Sequence, residues 1–268
     1  MSELVSVIVP TKNSAGTIEL CLKSIKYQTY PDIEIIVVDN YSEDGTQEIA
    51  KRYSNVLLKD SERSAARNYG AKTAKGNHLV FIDSDMELTP GVIEECVYEI
   101  SKDGPGAVII PEISVGEGFW TRCKALERSC YIGDDTIEAA RFFGKTVYRE
   151  LNGYDEKMVS GEDWDICQRA RSAGYKISRI DSLIKHHEGR LSLSKTMKKK
   201  YYYAKTLRNY VNKNPEMAKK QMVLIRPAFI RHWRNLLYDP MHTAGFMFMK
   251  CCEFAASGAG IVAGEVRG

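Results

Sequence analysis

The first 82 residues of this 268-residue chain alternate short apolar runs with helical patterns, and this alternation leaves few folds open to it. Runs rich in β-branched residues at 4–9, 33–38, 56–58 and 79–82 predict four buried strands. Apolar residues at helical spacing between them predict helices at 15–28, 46–52 and 64–75. Strands joined through helices by short connections form parallel, doubly wound sheets. The sequence therefore predicts an α/β fold with a mostly parallel sheet and flanking helices.

Polar residues follow three of these strands where each one ends. They are, in chain order, Pro10, Thr11 and Asn13 after the first strand, Asp39 after the second, and Asp83 and Asp85 after the fourth. Ligands of open α/β sheets bind beyond the carboxyl ends of the strands, which meet at one edge. A nucleotide needs groups for its base and ribose and a metal for its phosphates, and this edge offers candidates for each.

Asp83 and Asp85 have two interpretations. Two carboxylates at i and i+2 after a buried strand can hold a divalent cation, which in turn holds a diphosphate. They can also form a polar turn that caps the next helix, predicted from Pro90 to about residue 102. These two residues alone do not decide between a metal site and a turn.

Three other polar features carry the same ambiguity. Arg67 lies in a predicted helix near this edge, with Arg63 close by, and is a ligand cation or a solvated surface charge. Glu162 and Asp163 begin a predicted helix that ends near residue 173, where a carboxylate is either a cap or a general base. The pair His186 and His187 follows a strand predicted at 176–185 and is either a metal ligand or inert.

The remaining predicted elements and the cysteines constrain the function less. A strand is predicted at 107–110, and residues 114–140 are expected to be irregular, as a surface loop or a mobile segment that lines a cleft. The seven cysteines are dispersed and form no C-x-x-C pair, which favours reduced thiols in the cytoplasm. The start of the chain lacks a signal-peptide pattern.

The C-terminal part has a different composition. Residues 1–188 carry a net charge of −8, whereas residues 189–268 carry +11, which indicates an anionic partner for the tail: a membrane surface before nucleic acid. Residues 217–238 mix apolar, aromatic and Arg residues in the manner of an interfacial helix, with Pro227 at a break or a helix start. The apolar stretches 244–249 and 254–263 are each too short to span a bilayer and favour a shallow or re-entrant hairpin. Packing on the core or a dimer interface is the alternative.

The ordered set of motifs resembles family 2 glycosyltransferases with the GT-A fold. The matching pieces are Ser6–Asn13, Ile35–Asn40 followed by Asp44–Thr46, Ala66–Gly70, Phe81–Asp85, Asn152–Asp155, Gly161–Asp163 and the pair His186/His187. The resemblance covers roughly residues 4–190 and suggests a catalytic domain at 1–190 and a helical, basic, membrane-associating extension at 191–268. A nucleotidyltransferase would usually carry a Gly-rich basic loop where this chain has Pro10–Asn13. A catalytically silent relative would have lost the carboxylates that are present here.

The resemblance implies roles for individual residues. Those expected at the nucleotide are Pro10, Thr11, Asn13, Asp39, Arg67 and Asp83; those at Mg²⁺ or Mn²⁺ are Asp83, Asp85 and one of His186 and His187; and Asp163, beside Glu162, takes the place of the catalytic base. It also implies a single inverting displacement on a nucleotide sugar, with UDP favoured over GDP. The basic tail adds the expectation of a lipid-linked acceptor, such as a polyprenyl phosphate or diphosphate, at the cytoplasmic membrane face. No motif supports nucleic-acid binding.

Overall fold

The computed structural model describes residues 3–102 and 104–265, which form ten strands and twelve helices within those ranges. The strands are β1 Val5–Thr11, β2 Ile33–Asp39, β3 Asn55–Leu58, β4 His78–Phe81, β5 Met86–Leu88, β6 Pro105–Ile109, β7 Glu112–Glu117, β8 Ala140–Gly144, β9 Lys176–Arg179 and β10 Ile184–Arg190. The helices are α1 Ile18–Lys26, α2 Thr46–Ala50, α3 Arg63–Thr73, α4 Val92–Ser101, α5 Phe119–Ser129, α6 Lys145–Glu150, α7 Glu162–Ser172, α8 Leu193–Lys213, α9 Pro215–Gln221, α10 Pro227–Arg231, α11 Trp233–Tyr238 and α12 Pro240–Glu265.

The chain divides into two compact units. The first consists of Met1–Pro111, Ala139–Glu156 and Glu162–His186, and the second of Glu112–Glu138, Lys157–Gly161 and His187–Gly268. The second unit therefore includes two segments that precede the C-terminal extension in the sequence.

The first unit is built on a seven-stranded sheet in the order β3-β2-β1-β4-β8-β6-β9. All neighbouring strands are parallel except β8, which runs antiparallel to both β4 and β6. The predicted parallel β-α-β order of β1 to β4 is confirmed. β8 was not predicted, because its sequence contains Arg141 and its partners are distant in the chain.

Both faces of this sheet are covered, as the alternation along β1 requires. Val5, Val7 and Val9 point to one face, where they pack with apolar side chains of α1, α2 and α4. Ile8 points to the other face, which is covered by α3, α6 and α7. The sheet is thus a buried central layer that fixes where its strand ends lie.

The second unit is mainly helical, and its core lies between α5, α10 and α12. Cys123, Phe229, Phe246 and Met249 are among its buried apolar residues. Five charged side chains of α5, α8 and α12 also meet beside this core, and of these Lys200 is 40% exposed. These are Lys124, Glu127, Lys200, Lys250 and Glu253, and the term inner ion network refers to them below.

Three predictions for these regions were wrong. Residues 114–140 were expected to be irregular, but they contain part of β7 and all of α5. The strand predicted at 176–185 is two strands, because residues 180–183 form a turn between β9 and β10. The predicted hairpin within 244–263 is instead the continuous helix α12, since Lys250 and Glu253 join the inner ion network and do not interrupt the helix. Pro227 begins α10, as expected.

α12 also meets the length and composition that membrane spans require. Within the described residues, the most apolar 18-residue stretch of Pro240–Ala263 has a mean hydropathy of 1.3, and 28% of that stretch is buried inside the protein. A buried helix of a soluble protein has the same composition, so these properties alone do not assign it to a membrane.

Candidate active site

The ends of β1, β2 and β4 lie side by side in the first unit. Thr11 and Asp39 are partners in the parallel ladder, and β4 borders β1 on its other side. The sheet therefore brings together the predicted residues at positions 10–13, 39 and 83, because parallel strands end at the same edge.

A fully buried arginine joins the two motifs expected to carry the chemistry. Arg67 of α3 donates from Nη2 to Asp83 Oδ1 at 2.7 Å and from Nη1 to Asp163 Oδ1 at 2.8 Å. Its Nη1 also lies 3.4 Å from Glu162 Oε1, and its guanidinium carbon lies 5.1 Å from the ring centroid of Tyr154. Arg67 is thus not a solvated surface charge, and it holds the Glu162–Asp163 pair at the turn that carries Asp83 and Asp85.

Two more arginines point at Asp83. Arg63 Nη1 lies 3.9 Å and Arg141 Nη1 lies 3.7 Å from Asp83 Oδ2. Burial alone would raise the pKa of Asp83, but Arg67, Arg63 and Arg141 together hold that pKa far below its usual range. Asp83 is therefore a permanent anion that gathers three arginines at the end of β4.

The two carboxylates of the E-D pair have different environments. Glu162 is buried, and its burial followed by the charge of Asp163 raises its pKa, against the opposing effect of Arg63 at 2.9 Å. Asp163 keeps 28% of its side chain exposed while Arg67 fixes one of its oxygens. Asp163 is thus oriented and accessible, whereas Glu162 is enclosed.

Asp85 differs from Asp83 in being paired with a histidine. Its side chain is 44% exposed, and its Oδ2 lies 3.2 Å from His186 Nε2 at the point where β5 and β10 pair. His186 lies inside β10 and not after a strand end, and His187 belongs to the second unit. Among the residues that the structure describes, no three His, Cys, Asp or Glu side chains are close enough to bind one metal ion. Asp85 nevertheless offers a carboxylate oxygen of the kind that Mg²⁺ and Mn²⁺ bind, with the imidazole of His186 beside it, and such ions take further ligands from water and phosphate.

The residues expected at the nucleotide form a second polar group. Asp39 is buried, and its carboxylate accepts hydrogen bonds from Ser42 N and Oγ and from Gln47 Nε2. Asn13 adopts a positive φ of 48°, and its backbone N–H donates to Ser42 Oγ at 2.7 Å in the same loop. The hydroxyl of Thr11 is buried and has no hydrogen-bond partner. A buried hydroxyl without a partner beside a rigid acidic loop fits a site that a ligand completes.

Sequence reasoning missed Arg141 and assigned no role to Tyr154. The available signal for Arg141 was an arginine inside the apolar strand sequence Ala140–Gly144. Tyr154 is buried against Arg67, and its hydroxyl has no partner. A buried tyrosine in a short Asn-Gly-Tyr-Asp turn gives no sequence pattern that would have indicated this contact.

Comparison with known proteins is consistent with this geometry. The model of the family described as glycosyl transferase family 2 matches residues 6–154. Glycosyltransferase AglE of Haloferax volcanii is 29% identical over 204 residues, which cover 69% of this chain and 67% of AglE. Glycosyltransferase GlyG of Streptococcus pneumoniae is 34% identical over 117 residues, which cover 41% of this chain and 39% of GlyG.

Solved structures are similar over nearly the whole chain. A mannosyltransferase from Pyrobaculum calidifontis in complex with GDP-Man and Mn²⁺ matches with a TM-score of 0.69 at 18% identity, covering 98% of this chain and 88% of that one. The S. aureus protein TarS (residues 1–349) in complex with UDP-GlcNAc matches with a TM-score of 0.57 at 18% identity, covering 98% and 92%. At these identities the likeness concerns the fold, and the predicted GT-A fold is confirmed.

Proposed function

Because the chain belongs to glycosyl transferase family 2, we propose that it moves a sugar from a nucleoside diphosphate to an acceptor with inversion at the anomeric carbon. The observation that carries this proposal is the bridge of Arg67 between Asp83 and Asp163. The bridge places an accessible carboxylate next to the cation-lined turn where a diphosphate would bind.

The nucleotide is held at the ends of β1 and β2. Pro10, Thr11, Asn13 and Asp39 line this place, and the unpartnered hydroxyl of Thr11 supports a ligand there. UDP is the favoured nucleotide on the motif resemblance. Similar structures hold GDP-Man in one case and UDP-GlcNAc in another, so the fold is compatible with both.

Asp85 and His186 hold a divalent cation, Mg²⁺ or Mn²⁺, with Asp83 two positions before Asp85. Such an ion would offset the charge that grows on the departing diphosphate. Arg63, Arg67 and Arg141 add fixed positive charge at the same place and need no reorganisation during the reaction.

Asp163 takes the proton of the acceptor hydroxyl as it attacks the anomeric carbon from the face opposite the diphosphate. Arg67 orients this carboxylate, and its 28% exposure leaves room for an acceptor. Glu162 supports Asp163 from the buried side through their shared contacts with Arg67.

The acceptor is a lipid-linked phosphate or diphosphate glycan, and the protein works at the cytoplasmic face of a membrane through its basic tail. The charge of +11 on residues 189–268 supports attraction to anionic lipids. The dispersed cysteines, of which five are buried, suit a reducing compartment. The alternative role for the tail is a homodimer interface.

The donor is found by a screen of nucleotide sugars for hydrolysis with Mg²⁺, with Mn²⁺ and with EDTA. We expect release of the nucleoside diphosphate from one donor with a metal and none with EDTA. Release of pyrophosphate from a nucleoside triphosphate and a sugar phosphate would identify a nucleotidyltransferase. No turnover of any donor, together with no nucleotide binding, would identify a catalytically silent relative.

The base is tested with Asp163→Asn and, as a matched control, Asp181→Asn at an exposed loop position. We expect Asp163→Asn to abolish transfer to a hydroxyl while the Kd for the nucleotide stays nearly unchanged in a binding titration. Equal loss of both would contradict the role of Asp163. Retained transfer would show that the acceptor is a phosphate, which needs no strong base.

A further inference from the structure

The inner face of α12 carries paired charges, whereas its outer face is uncharged. On the inner face, Lys250 Nζ lies 2.8 Å from Glu127 Oε1 and 3.0 Å from Glu253 Oε2. Lys124 is also paired with Glu127, at 2.9 Å. If α12 crossed a bilayer, it would leave these partners and carry an ammonium and a carboxylate into hydrocarbon, which is costly. These ion pairs argue for an α12 that stays packed on α5 and against one that spans.

Glycines fix this inner face closely against its neighbours. A Cβ on Gly245 would lie 2.5 Å from the ring of Phe119 and 2.6 Å from Cys123 Sγ, both on α5. A Cβ on Gly260 would overlap the backbone of Tyr201 on α8. Because these contacts need the backbones to approach closely, they define which side of α12 faces inward.

The opposite side of α12 is an uninterrupted uncharged surface that is exposed. Its members recur at heptad spacing and are Met241, Ala244, Phe248, Cys251, Ala255, Gly258 and Val262. At 1.5 Å per residue they extend over about 30 Å, which is nearly the full length of α12. α10 and α11, which precede α12 in the chain, expose four more apolar and aromatic residues, Ile230, Trp233, Leu237 and Tyr238. These eleven residues together are called the outer apolar face.

The charges around the outer apolar face indicate which kind of partner it binds. Arg231 and Arg234 are exposed beside Trp233. The sequence between residues 217 and 252 contains one acidic residue, Asp239, which is paired with His242 at 2.7 Å. A second copy of the chain would bring the same arginines and meet like charge. An anionic bilayer offers phosphate to the arginines and acyl chains to Phe248 and Met241, with Trp233 and Tyr238 at the headgroup level.

We propose that the outer apolar face is the surface on which this protein rests on an anionic membrane, with α12 lying in the plane of the bilayer interface. This inference rests on the proposed function, because it names the surface through which the tail contacts the membrane. It differs from a simple basic tail in requiring insertion of apolar side chains, since lysines alone would give only salt-sensitive adsorption.

The test uses Phe248→Glu, which changes an exposed residue on the outer apolar face and leaves the inner ion network intact. Tyr98→Glu on α4 is the matched control, because Tyr98 is an aromatic residue of similar exposure, 64% against 56% for Phe248. Sedimentation is measured with phosphatidylcholine vesicles with and without phosphatidylglycerol. We expect the full-length protein and Tyr98→Glu to bind the anionic vesicles. Phe248→Glu should bind them more weakly by roughly tenfold at least.

A second readout follows the environment of Trp233. Because the ring of Trp120 lies 6.3 Å from that of Phe248, this readout uses a background of Trp120→Phe and Trp164→Phe, in which binding to anionic vesicles should shift the emission of Trp233 to shorter wavelength. Unchanged binding by Phe248→Glu, or a Trp233 emission that does not shift on binding, would overturn the proposal. Resistance of the bound protein to an alkaline carbonate wash would overturn it in favour of a spanning α12.

Light scattering without vesicles addresses the second copy of the chain. A dimer that Phe248→Glu converts to a monomer would show that the outer apolar face binds another protomer, and the membrane proposal would be wrong. Donor hydrolysis without vesicles should be unchanged in Phe248→Glu. Absence of hydrolysis in every variant would count against the proposed function and would leave the vesicle result standing.

Discussion

Removal of Arg67 should destabilise the first unit more than removal of any partly exposed arginine. Arg67→Met leaves Asp83 and Asp163 without their donors at 2.7 and 2.8 Å inside a site where the arginine is 0% exposed. Breaking a buried ion pair by deleting one partner costs about 3–5 kcal/mol. Arg63 and Arg141 still lie 3.9 and 3.7 Å from Asp83, and Asp163 can regain water, so we expect the lower end, about 3 kcal/mol.

Arg67→Lys separates charge from geometry. The lysine keeps the positive charge, but one ammonium does not reproduce the planar fork that reaches Asp83 and Asp163 together. We expect a loss of about 1.5–3 kcal/mol, the range for a hydrogen bond to a charged group. Arg63→Met is the control, because Arg63 contacts Asp83 and Glu162 in the same cluster but its side chain is 41% exposed. It should cost about 1 kcal/mol or less.

The assay is urea unfolding followed by the fluorescence of Trp164. This residue lies on α7 next to Asp163, and the other two tryptophans, Trp120 and Trp233, belong to the second unit. A background of Trp120→Phe and Trp233→Phe makes the signal report on the first unit. If Arg67→Met were no less stable than Arg63→Met, the bridge would not hold the site together and the reasoning would be refuted.

Two further predictions concern packing and pH. Gly70→Ala should lower the free energy of unfolding by about 1–3 kcal/mol, because the added Cβ would lie 2.6 Å from Ile8 Cγ2 of β1. Gly16→Ala is the control in the same urea assay, because its Cβ would meet no atom within 4 Å. Equal unfolding midpoints for the two variants would contradict the packing argument. The raised pKa of Glu162 favours its protonated form in the folded state, so its contribution to stability is complete below pH 4.5 and is lost as the pH rises through the folded pKa. Glu162→Gln should therefore gain in Tm relative to the unchanged protein as the pH is raised from 4.5, and a difference that is independent of pH would show that the Glu162 carboxyl is not perturbed.

The parts of the fold that sequence patterns predicted are those built from local, uniformly apolar segments. β1 is buried throughout, and β2 and β4 are buried over their C-terminal residues, so their sequences are largely apolar, and α1 between β1 and β2 shows clear periodicity. β8 escaped prediction because it joins the sheet through non-local antiparallel pairing and carries Arg141. α12 was misjudged because Lys250 and Glu253 were counted as interruptions, whereas partners on α5 and α8 make them compatible with a buried helix face.

The candidate site was also predictable only in part. The strand ends that carry Thr11, Asp39 and Asp83 were predictable, because parallel strands terminate together. The bridge from Asp83 to Asp163 was not, since the two carboxylates are 80 positions apart and only the buried Arg67 connects them. The pairing of His186 with Asp85 depends on the antiparallel register of β5 and β10, which no local pattern encodes.

The inner ion network makes the end of the chain inseparable from its middle. Glu127 lies on a helix more than a hundred positions before Lys250, and each supplies the other's counter-charge. A truncation ahead of α12 would not only remove a contact surface but would also leave Glu127 facing one cation fewer, in a core stripped of Phe246 and Met249. Shortened versions of this protein would therefore test the integrity of the second unit, and the role of the tail is better examined through point substitutions on its outer apolar face. For the same reason, substitutions at Glu127 and Lys250 should be tolerated in pairs more readily than singly, and natural variants of this chain are expected to change the two positions together.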